Sequence, residues 1–230
     1  MRFMSFNTQH CFNYITKEID FKAMADAILS LGADIVGLNE IRGAGEDSDY
    51  TAQTERLAAL TGMPYFYFAK ALDVDGKNPY GNAILSKIPL KEAETLIIPL
   101  PPKEEDSYYE QRCVLKAKTK DGLTLLITHF GLSPKEQENA VKTILSLLNE
   151  KRCVLMGDFN LSPDSPLLLP LLEKMSDTAA LFPSPLFSFP SDEPHIKIDY
   201  ILHTPDLTCS FADIPALVVS DHRPYIADIM

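Results

Sequence analysis

Residues with oxygen and imidazole side chains recur in one kind of place along this chain, at or beside short apolar runs. Asn7 follows Arg2–Phe6, Asn39 and Glu40 follow Asp34–Leu38, and Asn82 precedes Ala83–Leu85. His129 follows Leu123–Thr128, Asp158 and Asn160 follow Cys153–Met156, and Asp199 sits inside Ile198–Leu202. Asp221 and His222 complete the series. Taken singly, most have dull explanations. Asn7 fits a turn cap, Glu40 a solvated loop acid, His129 a core or edge histidine, and Gly157-Asp158-Phe159-Asn160 an Asx-turn. Asp199 is harder to dismiss, because a carboxylate in an apolar strand must be paired, hydrogen-bonded or metal-bound. Taken together they suit a hard cation. Carboxylate and amide oxygens match Mg²⁺ or Mn²⁺, and no clustered Cys or His spacing points to zinc. A hard cation flanked by histidines suits phosphoryl chemistry, in which charge on phosphate oxygens is neutralised and water is activated.

The elements that must position these residues are legible from the same runs. The runs are short and rich in Ile, Leu and Val, which favours buried strands over helices. Strands apolar on both faces require sheets covered by other layers. Helices are expected between them, over Lys17–Leu31 with Gly32 as C-cap, over Thr51–Leu60, and from Ser133-Pro134 through Leu148. A short fourth helix is expected over Leu167–Glu173. Segments 42–50, 99–109 and 182–194 read as surface loops, where substrate selection tends to reside. With no Gly/Ser linker, residues 1–230 are expected to form one α/β domain: two packed mixed β-sheets in a sandwich with helices on the outer faces, layered α/β/β/α.

Composition narrows the class. The chain has 230 residues and a formal net charge of −11, from 21 Lys and Arg against 32 Asp and Glu. A non-specific nucleic-acid binder draws its affinity from Lys and Arg, so a long polyanion is disfavoured as the partner. Cys11, Cys113, Cys153 and Cys209 are widely spaced and read as buried free thiols. No apolar run reaches the length of a transmembrane helix. Met1 runs straight into strand-like sequence, so cytoplasm is the expected compartment, with secretion open if a leader has been removed. A monomer is the default expectation.

In order along the chain stand Asn7; Leu38-Asn39-Glu40; Tyr80-Gly81-Asn82-Ala83-Ile84-Leu85-Ser86; Glu110-Gln111-Arg112; Thr128-His129-Phe130; Gly157-Asp158-Phe159-Asn160; Ile198-Asp199-Tyr200-Ile201; and Ser220-Asp221-His222. This series resembles the endonuclease/exonuclease/phosphatase superfamily, which shares the fold of pancreatic deoxyribonuclease, over nearly the whole chain. The resemblance implies Glu40 as the principal metal carboxylate, helped by Asn7 and Asp221, with Mg²⁺ or Mn²⁺ as cofactor. It implies that Asp158 orients or deprotonates the attacking water, that Asn160 and His129 contact phosphoryl oxygens, and that His222 and Asp199 form a His–Asp pair. Whether Asp158 or His222 is the base the sequence leaves open, with Asp158 preferred. Tyr80, Asn82 and Arg112 are implied as phosphate-binding or supporting contacts. Some nucleases of the family carry an acid where this chain has Gln9, so a single ion is the expectation. The implied activity is hydrolysis of a phosphodiester or phosphomonoester on a small or lipid-like molecule. The alternatives are a nuclease and a catalytically inactive protein that binds a phosphorylated partner.

Overall fold

In the computed structural model, residues 1–104, 108–148 and 151–230 are described. One six-stranded sheet has the order β11-β12-β1-β2-β4-β3 and the other the order β5-β6-β7-β8-β10-β9. The first holds β1 (Arg2–Asn7), β2 (Ile35–Arg42), β3 (Tyr65–Val74), β4 (Asn78–Ser86), β11 (Cys209–Asp213) and β12 (Tyr225–Ile229). The second holds β5 (Leu90–Ile97), β6 (Cys113–Thr119), β7 (Thr124–His129), β8 (Cys153–Asp158), β9 (Ser176–Asp177) and β10 (Asp199–His203).

Each sheet is mixed, with one parallel pair at its centre: β1 with β2, and β7 with β8. A parallel pair needs a helical crossover. Helix α1 (Phe21–Leu31) supplies the first and α3 (Pro134–Leu147) the second. The strands of each pair therefore end together, Asn7 opposite Asn39 and His129 opposite Asp158. Strand β10 runs antiparallel to β8 with Asp199 opposite Asp158, so its first residue reaches that same edge.

Alternation along the strands makes three apolar layers. Phe3, Ile35 and Ile84 meet Leu125, Ile127, Met156 and Ile201 between the sheets. Met4, Phe6, Val36 and Leu38 pack outward under α1 and α2 (Gln53–Thr61), through Ile28 and Leu57. Leu126, Leu155 and Leu202 pack outward under α3 through Ile144. The sandwich with outer helices is the architecture the runs required.

Local chemistry explains the boundaries. Ser133 and Glu136 form a capping box at the start of α3, with Pro134 in its first turn. Gly32 and Gly62 close α1 and α2 in the left-handed conformation, at φ 68° and 67°. The helix expected from Lys17 starts only at Phe21. Asp20 caps it by accepting from Ala23 N–H, while Lys17 takes φ 60° in a loop closed by a Phe12–Ile19 bridge. The short fourth helix is a 3₁₀ turn over Pro166–Leu168 that runs into α4 (Leu169–Leu172). Cys11, Cys113 and Cys153 are buried and outside any disulfide, but Cys209, on edge strand β11, is only half-buried. The loop expected over 99–109 includes residues 105–107, which lie outside the described ones. No helix among the described residues is long and apolar enough to cross a membrane.

Candidate active site

The ends of the two parallel pairs face each other across the sandwich, and Asn39 ties them together. Its Nδ2 donates to Thr128 O at 2.9 Å and to Asn82 Oδ1 at 2.8 Å, while its Oδ1 accepts from Asp158 N at 3.0 Å. A fully buried asparagine of the first sheet thus fixes the end of β8 in the second. Asn82 in turn donates to Cys113 O at 3.1 Å, so its amide is committed to holding this bridge.

Asp158 is the hub. Its Oδ2 accepts from Asn7 Nδ2 at 3.1 Å and lies 3.4 Å from His129 Nε2 and 3.6 Å from His222 Nε2. Its Oδ1 accepts from Asn160 N at 2.9 Å, the short loop that puts Asn160 at φ 50°. Burial raises the Asp158 carboxyl to about 7, against the opposing pull of His222. His222 stands just before β12 and bonds Asp199 Oδ2 through Nδ1 at 2.8 Å. Burial alone would lower its pKa. Attraction to Asp199 and Asp158, with the Asp199 hydrogen bond, carries it up to about 10 instead. His222 is therefore an imidazolium at neutral pH.

His129 has the opposite character. Burial, then the charges of Arg112 and His222, push its pKa well below the ordinary value, so the ring is neutral. Arg112 Nη1 lies 3.0 Å from Nδ1. Guanidinium can only donate, so Nδ1 accepts and the proton sits on Nε2, facing Asp158. Asn160 Nδ2 is 3.2 Å from the same Nε2 and donates to Phe130 O at 3.0 Å. Arg112 is held by Glu110 at 2.9 Å, and its buried Nε has no partner among the described residues.

Glu40 lies where β2 bulges between Leu38 and Ile41, and it takes φ 59°. The bulge breaks strand alternation and turns its carboxylate back to Asn7, whose Nδ2 donates to Oε1 at 3.0 Å. Burial raises the Glu40 carboxyl, and nearby Asp221 raises it further. Tyr80, on β4, lies near the same carboxylate, and its phenol is pushed well up by burial and by the charge of Glu40. Asp221 accepts from Ser220 Oγ at 3.0 Å.

The donor set fits a hard divalent cation. Glu40 and Asp221 are carboxylates close enough to repel each other, with His222 and Arg112 only partly offsetting that repulsion at Glu40. Asn7 Oδ1 accepts from Gln9 N at 3.1 Å and retains one lone pair. Asp158, Asp199 and His222 also present ligand atoms within 4.8 Å of one another. That trio suits an ion less well, since His222 Nδ1 is engaged with Asp199 and a protonated ring offers no lone pair.

The sequence match decides the kinship: a model of the endonuclease/exonuclease/phosphatase family matches residues 4–222. The chain belongs to that family. It is 23% identical to the protein YbhP of Escherichia coli (strain K12) over 98% of this chain and 94% of that protein. Among solved structures, a family protein from Beutenbergia cavernae superposes with TM-score 0.79 at 20% identity, covering 100% of this chain and 71% of that one. The Bacteroides thetaiotaomicron mannosyl-6-phosphatase superposes with TM-score 0.78 at 14% identity, covering 100% and 99%. At these identities the structures establish the family fold.

All the residues singled out in the sequence lie at this edge or support it. Asn39 stood in the sequence series without a role, and Ser188 and Phe189 on loop 182–194 were not in it. Ser188 Oγ accepts from Ile198 N and Asp199 N at 3.3 Å, and the Phe189 ring lies 4.9 Å from that of His222. Asn39 stands beside Glu40 after an apolar run, the one signal that could have marked it. The Pro- and Ser-rich loop carries no comparable signal. His195 is exposed on that loop, and His203 is buried with Nδ1 against Thr204 O at 2.9 Å, apart from the edge.

Proposed function

We propose that this chain is a divalent-metal-dependent phosphoesterase, acting on a phosphodiester or phosphomonoester of a compact molecule. The observation that carries it is the buried Asp158 carboxylate, which accepts from Asn7 and lies within 3.6 Å of both His129 and His222. Glu40 and Asp221, with Asn7 beside them, would hold Mg²⁺ or Mn²⁺. Such an ion neutralises phosphate charge and lowers the barrier to attack by water.

The remaining chemistry falls to the side chains. Burial raises the Asp158 carboxyl above the ordinary carboxylate range, which favours its taking the proton of an attacking water. His222 already carries its proton and cannot serve as that base. It stabilises negative charge on the phosphoryl group, and Asp199 fixes its tautomer and charge. These two charge states support Asp158 rather than His222 as the base. His129 and the Asn160 amide offer neutral donors to phosphoryl oxygens, and Arg112 a charged one. Tyr80 steadies Glu40, and Asn82 steadies Asn39.

The test is a panel of phosphodiesters, phosphomonoesters, sugar phosphates, phospholipids, DNA and RNA, assayed with Mg²⁺ and Mn²⁺. Turnover of at least one ester is expected, with Asp158→Asn and His222→Ala each losing roughly 10²–10⁴ in kcat. No turnover of any member would leave the inactive phosphate-binding reading. A nucleic acid preferred at physiological salt, with affinity falling at about −0.7 to −0.9 per neutralised phosphate, would install the nuclease reading.

A further inference from the structure

A groove with a volume of about 440 Å³ is lined by a segment that leads into the candidate active site. Phe182, Pro183, Pro185, Leu186 and Phe187 line it, and Asp177 and Lys197 are its only charged lining residues. The lining segment continues directly into the site, because Ser188 accepts from Asp199 N and the Phe189 ring packs on His222. Lys197 is two residues from Asp199 and only 4% exposed.

A lysine this buried is unusual in a groove that is otherwise apolar. Its ammonium donates to Asp177 Oδ2 at 3.2 Å and lies 3.2 Å from the centre of the Tyr200 ring. The Tyr225 ring centre lies farther off, at 5.7 Å, and because Lys197 lines the groove the third of its donors can serve a further acceptor there. Asp177 keeps lone pairs beyond the bonds it accepts from Lys197 and Ala179 N. The pair therefore offers a donor and an acceptor side by side with its charges cancelled. A hydroxyl group, which both accepts and donates, matches it. A second phosphate, which needs net positive charge, does not. The flat aromatic and proline faces suit a ring, and the volume falls in the range of small-molecule sites.

We infer that this groove binds the leaving group of the substrate, and that the leaving group is a hydroxyl-bearing ring held between Phe187 and the Lys197–Asp177 pair. The inference rests on the phosphoesterase reading and deepens it. A sugar ring and a hydroxylated aromatic ring share this chemistry, and both are tested.

Binding is measured by ligand-observed NMR in chelator, and KM and kcat with Mg²⁺, for methyl phosphate, phenyl phosphate, 3-hydroxyphenyl phosphate and mannose 6-phosphate. At least one hydroxylated ring should bind about tenfold more tightly than methyl phosphate, a difference of 1.4 kcal/mol. Between the two aromatic esters, the added hydroxyl should tighten binding a few-fold. Phe187→Ala, at a half-exposed position that tolerates truncation, should erase the ring advantage through KM with kcat for methyl phosphate unchanged. Lys197→Met should erase only the hydroxyl advantage. Ser184→Ala serves as a groove control if Lys197→Met fails to fold, leaving Phe187→Ala to decide. Equal affinity of all four esters, or ring preferences untouched by Phe187→Ala, overturns the groove assignment while turnover of the esters keeps the phosphoesterase reading intact. Binding of the rings without turnover of any ester overturns that reading and with it the leaving-group role.

Discussion

Replacing Asn39 by Ala should damage both stability and chemistry, because one side chain joins the two sheets where the site is built. The substitution strips partners from Thr128 O, Asn82 Oδ1 and the Asp158 N–H, all buried. Each buried polar group left unpaired costs about 1–3 kcal/mol. Three such groups give about 3 kcal/mol even at the low end of that range. Urea unfolding should therefore show a lower midpoint at unchanged slope, the signature of lost stability without a change in surface exposed. Because the lost bond to Asp158 N positions its carboxylate, turnover should also fall on the order of 10², the cost of a misplacement near 1 Å. Asn39→Asp should be worse than Asn39→Ala at neutral pH, since it turns a carboxylate toward Thr128 O and Asn82 Oδ1, and it should recover as pH falls and the new acid protonates. A loss below about 1 kcal/mol with turnover intact would refute the bridge.

His222, raised from 6.5 to about 10, contributes stability that is full below pH 6.5 and lost as pH rises through 10. Asp199→Asn removes the anion that holds the proton, so imidazole NMR titration of metal-free protein should show a markedly lower His222 pKa and a flatter fall of stability above neutrality. An unchanged titration would break the pair. Gly157→Ala should cost about 3 kcal/mol or more, because a Cβ there would stand 1.8 Å from Thr128 O at φ 148°. Unfolding at the normal denaturant concentration would show the β7–β8 register to be wrong.

Much of the fold was legible because its central strands are buried on both faces and read as uninterrupted apolar runs. Ile35–Leu38, Leu125–Ile127 and Val154–Met156 could hardly be anything else. Edge strands gave no such signal. Strand β3 exposes Tyr65 and Phe66 and buries Ala69, and β5 carries Lys91, Glu92 and Glu94, so neither stands out from loop sequence. Their pairing is decided by neighbours distant in sequence. The site residues were legible for a related reason. Strands that must cross a core end abruptly at its edge, and polar residues at those ends are visible against the apolar run. The start of α1 was obscured because Lys17 and Glu18 are themselves good helix formers, and only Asp20 marks the true cap. Of the charge states, only the imidazolium of His222 was implied, through its pairing with Asp199. His129 and His222 are the same residue type at similar burial. One is neutral beside Arg112 and the other charged beside Asp199, a difference set wholly by packing.

The central claim is that Glu40 holds a divalent ion on which phosphoester hydrolysis depends. The most direct test is the rate of hydrolysis of 4-nitrophenyl phosphate and bis(4-nitrophenyl) phosphate by chelator-stripped protein, titrated with Mg²⁺ or Mn²⁺ in wild type and Glu40→Gln. The account predicts negligible rate without ion, a saturable rise with it, and an ion requirement at least about tenfold higher in Glu40→Gln, a loss of 1.4 kcal/mol in ion binding. The metal-free melting temperature should be unchanged or slightly raised, because the substitution removes a carboxylate repelled by Asp221. Full activity in excess chelator, or an identical ion dependence in Glu40→Gln, would contradict it.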